Sequence, residues 1–199
     1  SDEIYSKIIF DNLKMPTLLN YKNIFERLIV LDGWSKTYCM TGWRLGWSVW
    51  PSKIIEFANK LCVNNHSCPT SISQYAGLEA ISGPQEELKK IVHEFQKRKE
   101  LVHREINKLE NISCFNPGGA FYAFPNVSKT GLNGKEYADL ALKEKGVALV
   151  PGTSFGDKAN NYIRVSFANS LEKIEEAIKR ISTIWKKLKQ LLSHLSYHM

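Results

Sequence analysis

The chain has no apolar run approaching the roughly 20 residues needed to cross a bilayer, and its N-terminus lacks a leader pattern. No membrane partner is expected, and the expected location is cytoplasmic. Cysteine is scarce: Cys39, Cys62, Cys68 and Cys114 form no CxxC pair and no metal-ligand spacing with the five histidines. Reduced thiols are expected, with neither a disulfide framework nor a metal centre. Internal repeats and low-complexity segments are missing too. Charge of one sign is not gathered in one place, although 27 basic and 20 acidic residues leave a formal charge of +7. The basic residues interleave with glutamates, as in Glu86-Glu87-Leu88-Lys89-Lys90 and Glu172-Lys173-Ile174-Glu175-Glu176. That pattern describes solvated helix faces with local ion pairs. Only Lys186, Lys187 and Lys189, near the end, form a run of one sign, so nucleic acid is not an expected partner.

What is present is an ordinary globular composition, 43% hydrophobic and 11% aromatic over 199 residues, enough for a sizeable core. Ile29-Val30-Leu31 reads as a buried strand ending at Asp32-Gly33, and Leu45 to Trp50 as a second strand stopped by Pro51. Ser52 is placed to cap a helix over residues 53–61, and a second helix is expected over roughly 70–82. After Gly83-Pro84, apolar residues from Leu88 to Leu109 keep helical spacing, predicting a long helix through about residue 110 that bridges two parts of a fold. Strands are expected around 121–124, 147–150 and 162–167, with a helix over about 134–145 ending at Gly146. The stripe Ile174, Ala177, Ile178, Ile181, Ile184, Trp185, Leu188 and Leu192 predicts a closing amphipathic helix. Strands and helices in this order suggest an α/β architecture with a smaller α+β unit after the long helix.

The densest chemistry lies in Trp34-Ser35-Lys36-Thr37-Tyr38-Cys39-Met40-Thr41-Gly42-Trp43-Arg44-Leu45-Gly46. A lysine stands on a Ser/Thr-flanked turn, and an arginine follows eight residues later behind Gly-Trp. An aldehyde cofactor bearing a phosphate needs such a pair, an amine to hold the aldehyde and a fixed guanidinium for the phosphate. The run resembles the lysine motif of the class I/II aminotransferases of fold type I, which use pyridoxal 5'-phosphate. That resemblance implies that Lys36 is the Schiff-base lysine and proton shuttle, and that Arg44 is the phosphate ligand. Trp43 and Trp47 are expected to pack behind the lysine turn. The family often carries a phosphate-binding serine three residues before the lysine; Gly33 stands there, and Ser35 is the remaining hydroxyl candidate.

Further elements carry the same likeness. Asp2-Glu3-Ile4-Tyr5 resembles the family's Asp-Glu-x-Tyr element. It implies that the Asp2 carboxylate keeps the pyridine nitrogen protonated and that Tyr5 bonds the ring's 3-hydroxyl oxygen. Arg164, in Tyr162-Ile163-Arg164-Val165-Ser166-Phe167, follows Val150-Pro151-Gly152-Thr153-Ser154-Phe155-Gly156, where the family places its substrate α-carboxylate arginine. An arginine in an alternating apolar strand is costly unless it faces an anion. Asn116-Pro117-Gly118-Gly119-Ala120-Phe121-Tyr122 resembles the family's Pro-x-Gly-Ala-Phe-Tyr segment, though a structural turn explains it equally.

The likeness covers nearly the whole chain and aligns it with the C-terminal half of an aminotransferase. Residues 1–83 are then expected to be the later part of the large cofactor-binding domain, and residues 84–199 a bridging helix and small domain. Opening on Ser1 inside a motif, the chain is expected to be a fragment, inactive alone, of a homodimeric enzyme acting on an amino acid and a 2-oxo acid. Two other readings stay open: a different reaction on the same fold, such as β-elimination or cyclisation, and the aminotransferase-like sensing domain of a transcription regulator.

Overall fold

The computed structural model describes residues 1–196, with side chains described for residues 1–184. The chain divides into two compact units, Ser1–His93 and Glu94–Met199.

In the first unit, two 3-10 turns, Leu18–Asn20 and Lys22–Arg27, precede strand β1 (Val30–Gly33). Helix α1 (Trp34–Thr37), a 3-10 turn (Thr41–Trp43) and β2 (Gly46–Val49) follow. β1 and β2 pair antiparallel, with Gly33 opposite Gly46, so the sequence between them is a hairpin that carries a short helix. The N-terminal stretch lies beside β1 through a parallel bridge of Asp2 to Leu31, closed by Glu3 N–H to Leu31 O at 2.8 Å and Leu31 N–H to Ser1 O at 2.9 Å. Helices α2 (Ile55–His66) and α3 (Ser71–Ser82) complete the unit, together with the start of α4 (Glu86–Ile106).

Ser52 does not cap α2. The Ile54 N–H closes a turn onto Pro51 O at 3.1 Å, so the helix begins three residues later than Ser52 and has no side-chain cap. α4 also stops at Ile106, short of residue 110, because Asn107 turns its side chain back to the backbone of His103 and Cys114.

In the second unit, β3 (Tyr122–Ala123), β4 (Val150–Pro151) and β5 (Ile163–Ser166) form an antiparallel sheet with β5 central. Between β3 and β4 runs α5 (Gly134–Lys145), started by an Asn133/Glu136 capping box and ended by Gly146 at φ 64°. β4 is shorter than the expected strand because Val147 N–H closes the end of α5 onto Ala141 O. Val127, Tyr137, Ala138, Ala141, Val147, Ile163, Ile181 and Ile184 form one buried cluster, to which α6 (Leu171–Ser196) contributes its apolar stripe. The side chains of Trp185, Leu188 and Leu192, and of Lys186, Lys187 and Lys189, lie outside the described residues. No helix among the described residues is long and apolar enough to cross a membrane.

Candidate active site

Lys36 is the third residue of α1, partly buried, on a helix of a single turn. Its placement follows from how the hairpin is held. Trp34 N–H donates to Leu45 O at 3.2 Å at the entry to α1, tying that end to the stretch after Arg44. The Trp34 indole donates to Gly77 O at 2.9 Å, and Ser73 Oγ donates to Trp43 O at 2.9 Å, so α3 grips both ends of the loop. Gly77 makes this possible, since a Cβ there would stand 2.2 Å from Leu45 Cδ2 and 3.3 Å from the Trp34 ring. The amine of Lys36 makes no hydrogen bond or ion pair among the described residues.

Arg44 ends the Thr41–Trp43 turn in the left-handed region at φ 52°, and its Nη1 donates to Thr41 O at 2.9 Å. Local backbone strain at an exposed arginine is the kind of feature that clusters where a ligand is held. One guanidinium nitrogen is thereby fixed to the loop's own backbone, while the side chain stays exposed.

Asp2 is exposed, and its Oδ1 accepts from Ile4 N–H at 3.1 Å in a local turn. Tyr5 is partly buried on the same stretch. A residue the sequence reading passed over ties that stretch to the lysine loop. Asp32 Oδ2 accepts from Ser6 Oγ at 2.7 Å, and its Oδ1 accepts from Gly33 N–H at 2.6 Å. Its charge, after burial, helps raise the Tyr38 phenol above its ordinary value. The signal for Asp32 was only its place at the end of the strand, so nothing marked it beyond a turn residue.

Gly33 has its own reason for not being serine. A Cβ there would stand 2.9 Å from Leu45 O and 3.0 Å from Gly46 Cα, so the close pairing with β2 excludes a side chain. Trp43 and Trp47 do not pack behind the turn; both are exposed, and Trp34 fills that position instead.

The structure thus gathers the stretches carrying Asp2, Tyr5, Lys36 and Arg44 in the first unit. Arg164 belongs to the second, on the central strand β5, where its guanidinium carbon lies 4.4 Å from the Tyr122 ring centroid and 4.8 Å from that of Phe155. Its Nε is buried without a hydrogen-bond partner among the described residues. A buried unpaired donor on a cation is costly, and an anion is the natural partner for one. In the Asn116–Tyr122 segment the left-handed residue is Ala120, at φ 59°.

The family model for aminotransferase class I and II matches residues 1–181. Over 194 residues the chain is 39% identical to an aspartate aminotransferase of Pyrococcus abyssi, covering 95% of this chain and 49% of that protein. It is 36% identical to aromatic-amino-acid aminotransferase 2 of Thermococcus litoralis, again covering 95% and 49%. The crystal structure of an aromatic aminotransferase from Pyrococcus horikoshii superposes with a TM-score of 0.90 at 38% identity, covering 95% of this chain and 51% of that one. The chain therefore spans about half the length of the curated relatives it matches.

Proposed function

Because the chain belongs to the class I and II aminotransferases, whose members use pyridoxal 5'-phosphate, we propose that it carries the lysine-bearing half of an enzyme moving an amino group between an amino acid and a 2-oxo acid. In this reading it is the C-terminal half: residues 1–83 close the large domain, and residues 84–199 supply the bridging helix and small domain of a cytoplasmic homodimer. The observation that carries the reading is Lys36, an amine without a partner among the described residues, on a short helix in a loop that α3 holds at Trp34 and at Trp43.

The residues present fit the cofactor. Lys36 supplies the amine that holds its aldehyde, and Arg44 supplies N–H groups for its phosphate, with one nitrogen already fixed to Thr41 O. The Asp2 carboxylate suits a protonated ring nitrogen, and Tyr5 suits the ring's 3-oxygen. When bound, the cofactor acts as an electron sink for the substrate's α-carbon. The protein's own tasks are then to hold, orient and move a proton. Lys36, once its amine is free, takes the α-proton and returns it as general base and acid. Arg164, with its unpaired Nε, takes the substrate carboxylate, which favours reactions that retain that group.

Incubating the chain with pyridoxal 5'-phosphate, reducing with borohydride and mapping the product by mass spectrometry tests this. Pyridoxyl mass is expected on the peptide containing Lys36, and borohydride traps it however weak the equilibrium. Label scattered over exposed lysines would remove the central claim. Transamination by this chain alone is expected to be negligible, since half of the relatives' length has no counterpart in it and an open site weakens every electrostatic contact.

A further inference from the structure

The stretch Gly152–Gly156 has no task in the function proposed above, yet its shape is closely determined. The 3-10 turn Gly152–Phe155 follows β4 directly. Gly152 N–H donates to Tyr162 O at 2.7 Å, and a Cβ at Gly152 would stand 2.0 Å from Ala159 O, so only glycine lets the turn pack this tightly. Gly156 leaves the turn at φ 120°, a conformation that residues with side chains rarely adopt. Together they return Phe155 over β5, 4.8 Å from the guanidinium carbon of Arg164. The ring also meets Phe124 edge-on at 5.8 Å, and Phe124 stacks on Tyr162 at 5.1 Å. Phe155 nevertheless remains 52% exposed, so core filling does not explain a ring that is held so firmly. What it covers is a cation whose Nε has no partner among the described residues.

We propose that Phe155 is a positioning residue that, with Tyr122, fixes the guanidinium plane of Arg164 so that its N–H edge meets the carboxylate of the substrate. The proposal rests on the reading of Arg164 as the carboxylate ligand. A guanidinium is attracted to ring faces by their quadrupole, while its N–H groups stay in plane and available. An unrestrained arginine loses rotamer freedom on capturing an anion, whereas one held by rings has lost it beforehand. The bidentate geometry that a carboxylate requires is then present before the substrate arrives. Tyr122 has other contacts, so Phe155 is the residue to change.

The experiment uses this chain labelled with 15N-arginine, with 3-phenylpropionate as the probe, and needs no cofactor. The Arg164 Nε–H resonance, identified by its loss in Arg164→Gln, is expected to be ring-shifted and to move when the probe is added. Phe155→Leu keeps an apolar side chain and removes the ring. It should relax the resonance toward an ordinary arginine position and weaken probe binding about fivefold, the scale of one cation–π contact. Phe155→Tyr should restore both, and backbone amide signals away from the loop should stay in place in every variant. An unshifted resonance or unchanged affinity in Phe155→Leu overturns the proposal, as does weakening that Phe155→Tyr fails to restore. Probe binding that survives in Arg164→Gln, or is absent from the unaltered chain, overturns instead the reading of Arg164 on which the proposal rests.

Discussion

In the first unit, α2 and α3 turn Phe57, Leu61, Val63, Ile72, Tyr75, Leu78 and Ile81 outward, each more than half exposed. In the second, α5 and α6 bury Tyr137, Ala138, Ala141, Ile181 and Ile184 against Val147 and Ile163, all less than a tenth exposed. α3 has no single apolar stripe of the kind that α6 carries and presents apolar side chains on more than one side, so the contrast lies both in pattern and in what each helix finds to cover it. The three-stranded sheet of the second unit is faced by helices from the same stretch of sequence. The two-stranded sheet of the first is too small to cover α2 and α3, whose sole buried apolar side chain among the described residues is Ala58. Apolar surface of this kind promotes association, and the half of the relatives' length that this chain does not span is where its cover would be sought.

The sharpest way to break that comparison is one isoleucine from each unit. Ile163→Ala, at a position 1% exposed in the middle of the sheet, should cost about 2–5 kcal/mol. Ile72→Ala, on the exposed flank of α3, should stay within about 0.5 kcal/mol and reduce self-association. Guanidinium unfolding midpoints and light scattering measure the two. Equal losses would mean that α3 is covered in solution by the chain itself.

A second pair compares glycines. Gly152→Ala places a methyl 2.0 Å from the backbone oxygen of Ala159, which cannot rotate away, and should cost about 1–3 kcal/mol. Gly42→Ala, in the lysine loop, meets nothing within 4 Å and should be nearly neutral. Thermal melts of both variants decide this. A larger loss at Gly42 would show that the loop's conformation, not its packing, requires glycine there.

Much of this was legible in the sequence for one physical reason. The strand that ends at Gly33 and the helix ending at Gly146 are each specified by residues close together in the chain. Gly146 is a good example, since a left-handed residue after a helical stripe announces itself. Other features depend on residues distant in sequence. Asp32 matters because Ser6 reaches it across 26 positions, and Phe155 because the loop returns it to Arg164. Ser52 misled because a competing turn, Pro51 to Ile54, claimed the residues it was to cap. Trp43 and Trp47 misled because an aromatic near a functional turn reads as packing, while here Trp34 alone takes the space against Gly77.

Caps give a smaller test of the same contrast. Asn133 Oδ1 accepts from the N–H groups of Lys135 and Glu136, both at 3.0 Å, and the Glu136 carboxylate accepts from the Asn133 backbone N–H at 2.8 Å. Asn133→Ala should therefore destabilise the second unit by about 1 kcal/mol. Ser52→Ala, at a position that caps nothing, should leave the unfolding midpoint where it is. A measurable loss at Ser52 would mean that α2 starts earlier in solution and that the first unit is more ordered at that edge.

The smallest expected effect is invisible at neutral pH. Burial pushes the phenol of Tyr137 far above its ordinary value of 10.0, because the charged form is not solvated within the second unit's core. Well below 10.0 the phenol is neutral in both folded and unfolded chains and contributes no pH dependence. Above it, the unfolded chain releases the proton while the folded chain still holds it. The free energy of unfolding then drops, and the stability due to this group falls as pH rises toward the folded value. Tyr38 in the first unit shifts the same way, through burial and the Asp32 charge, but it keeps a hydrogen bond to Gln85 Oε1 at 3.2 Å and is only partly buried. Tyr137→Phe should accordingly flatten the alkaline loss of stability more than Tyr38→Phe does. Denaturant titrations of the three chains at about pH 8 and about pH 11 measure it, with lysine deprotonation common to all. If the unaltered chain and Tyr137→Phe decline in parallel, the phenol reaches water in the folded state, and the second unit is less closed than its buried cluster implies.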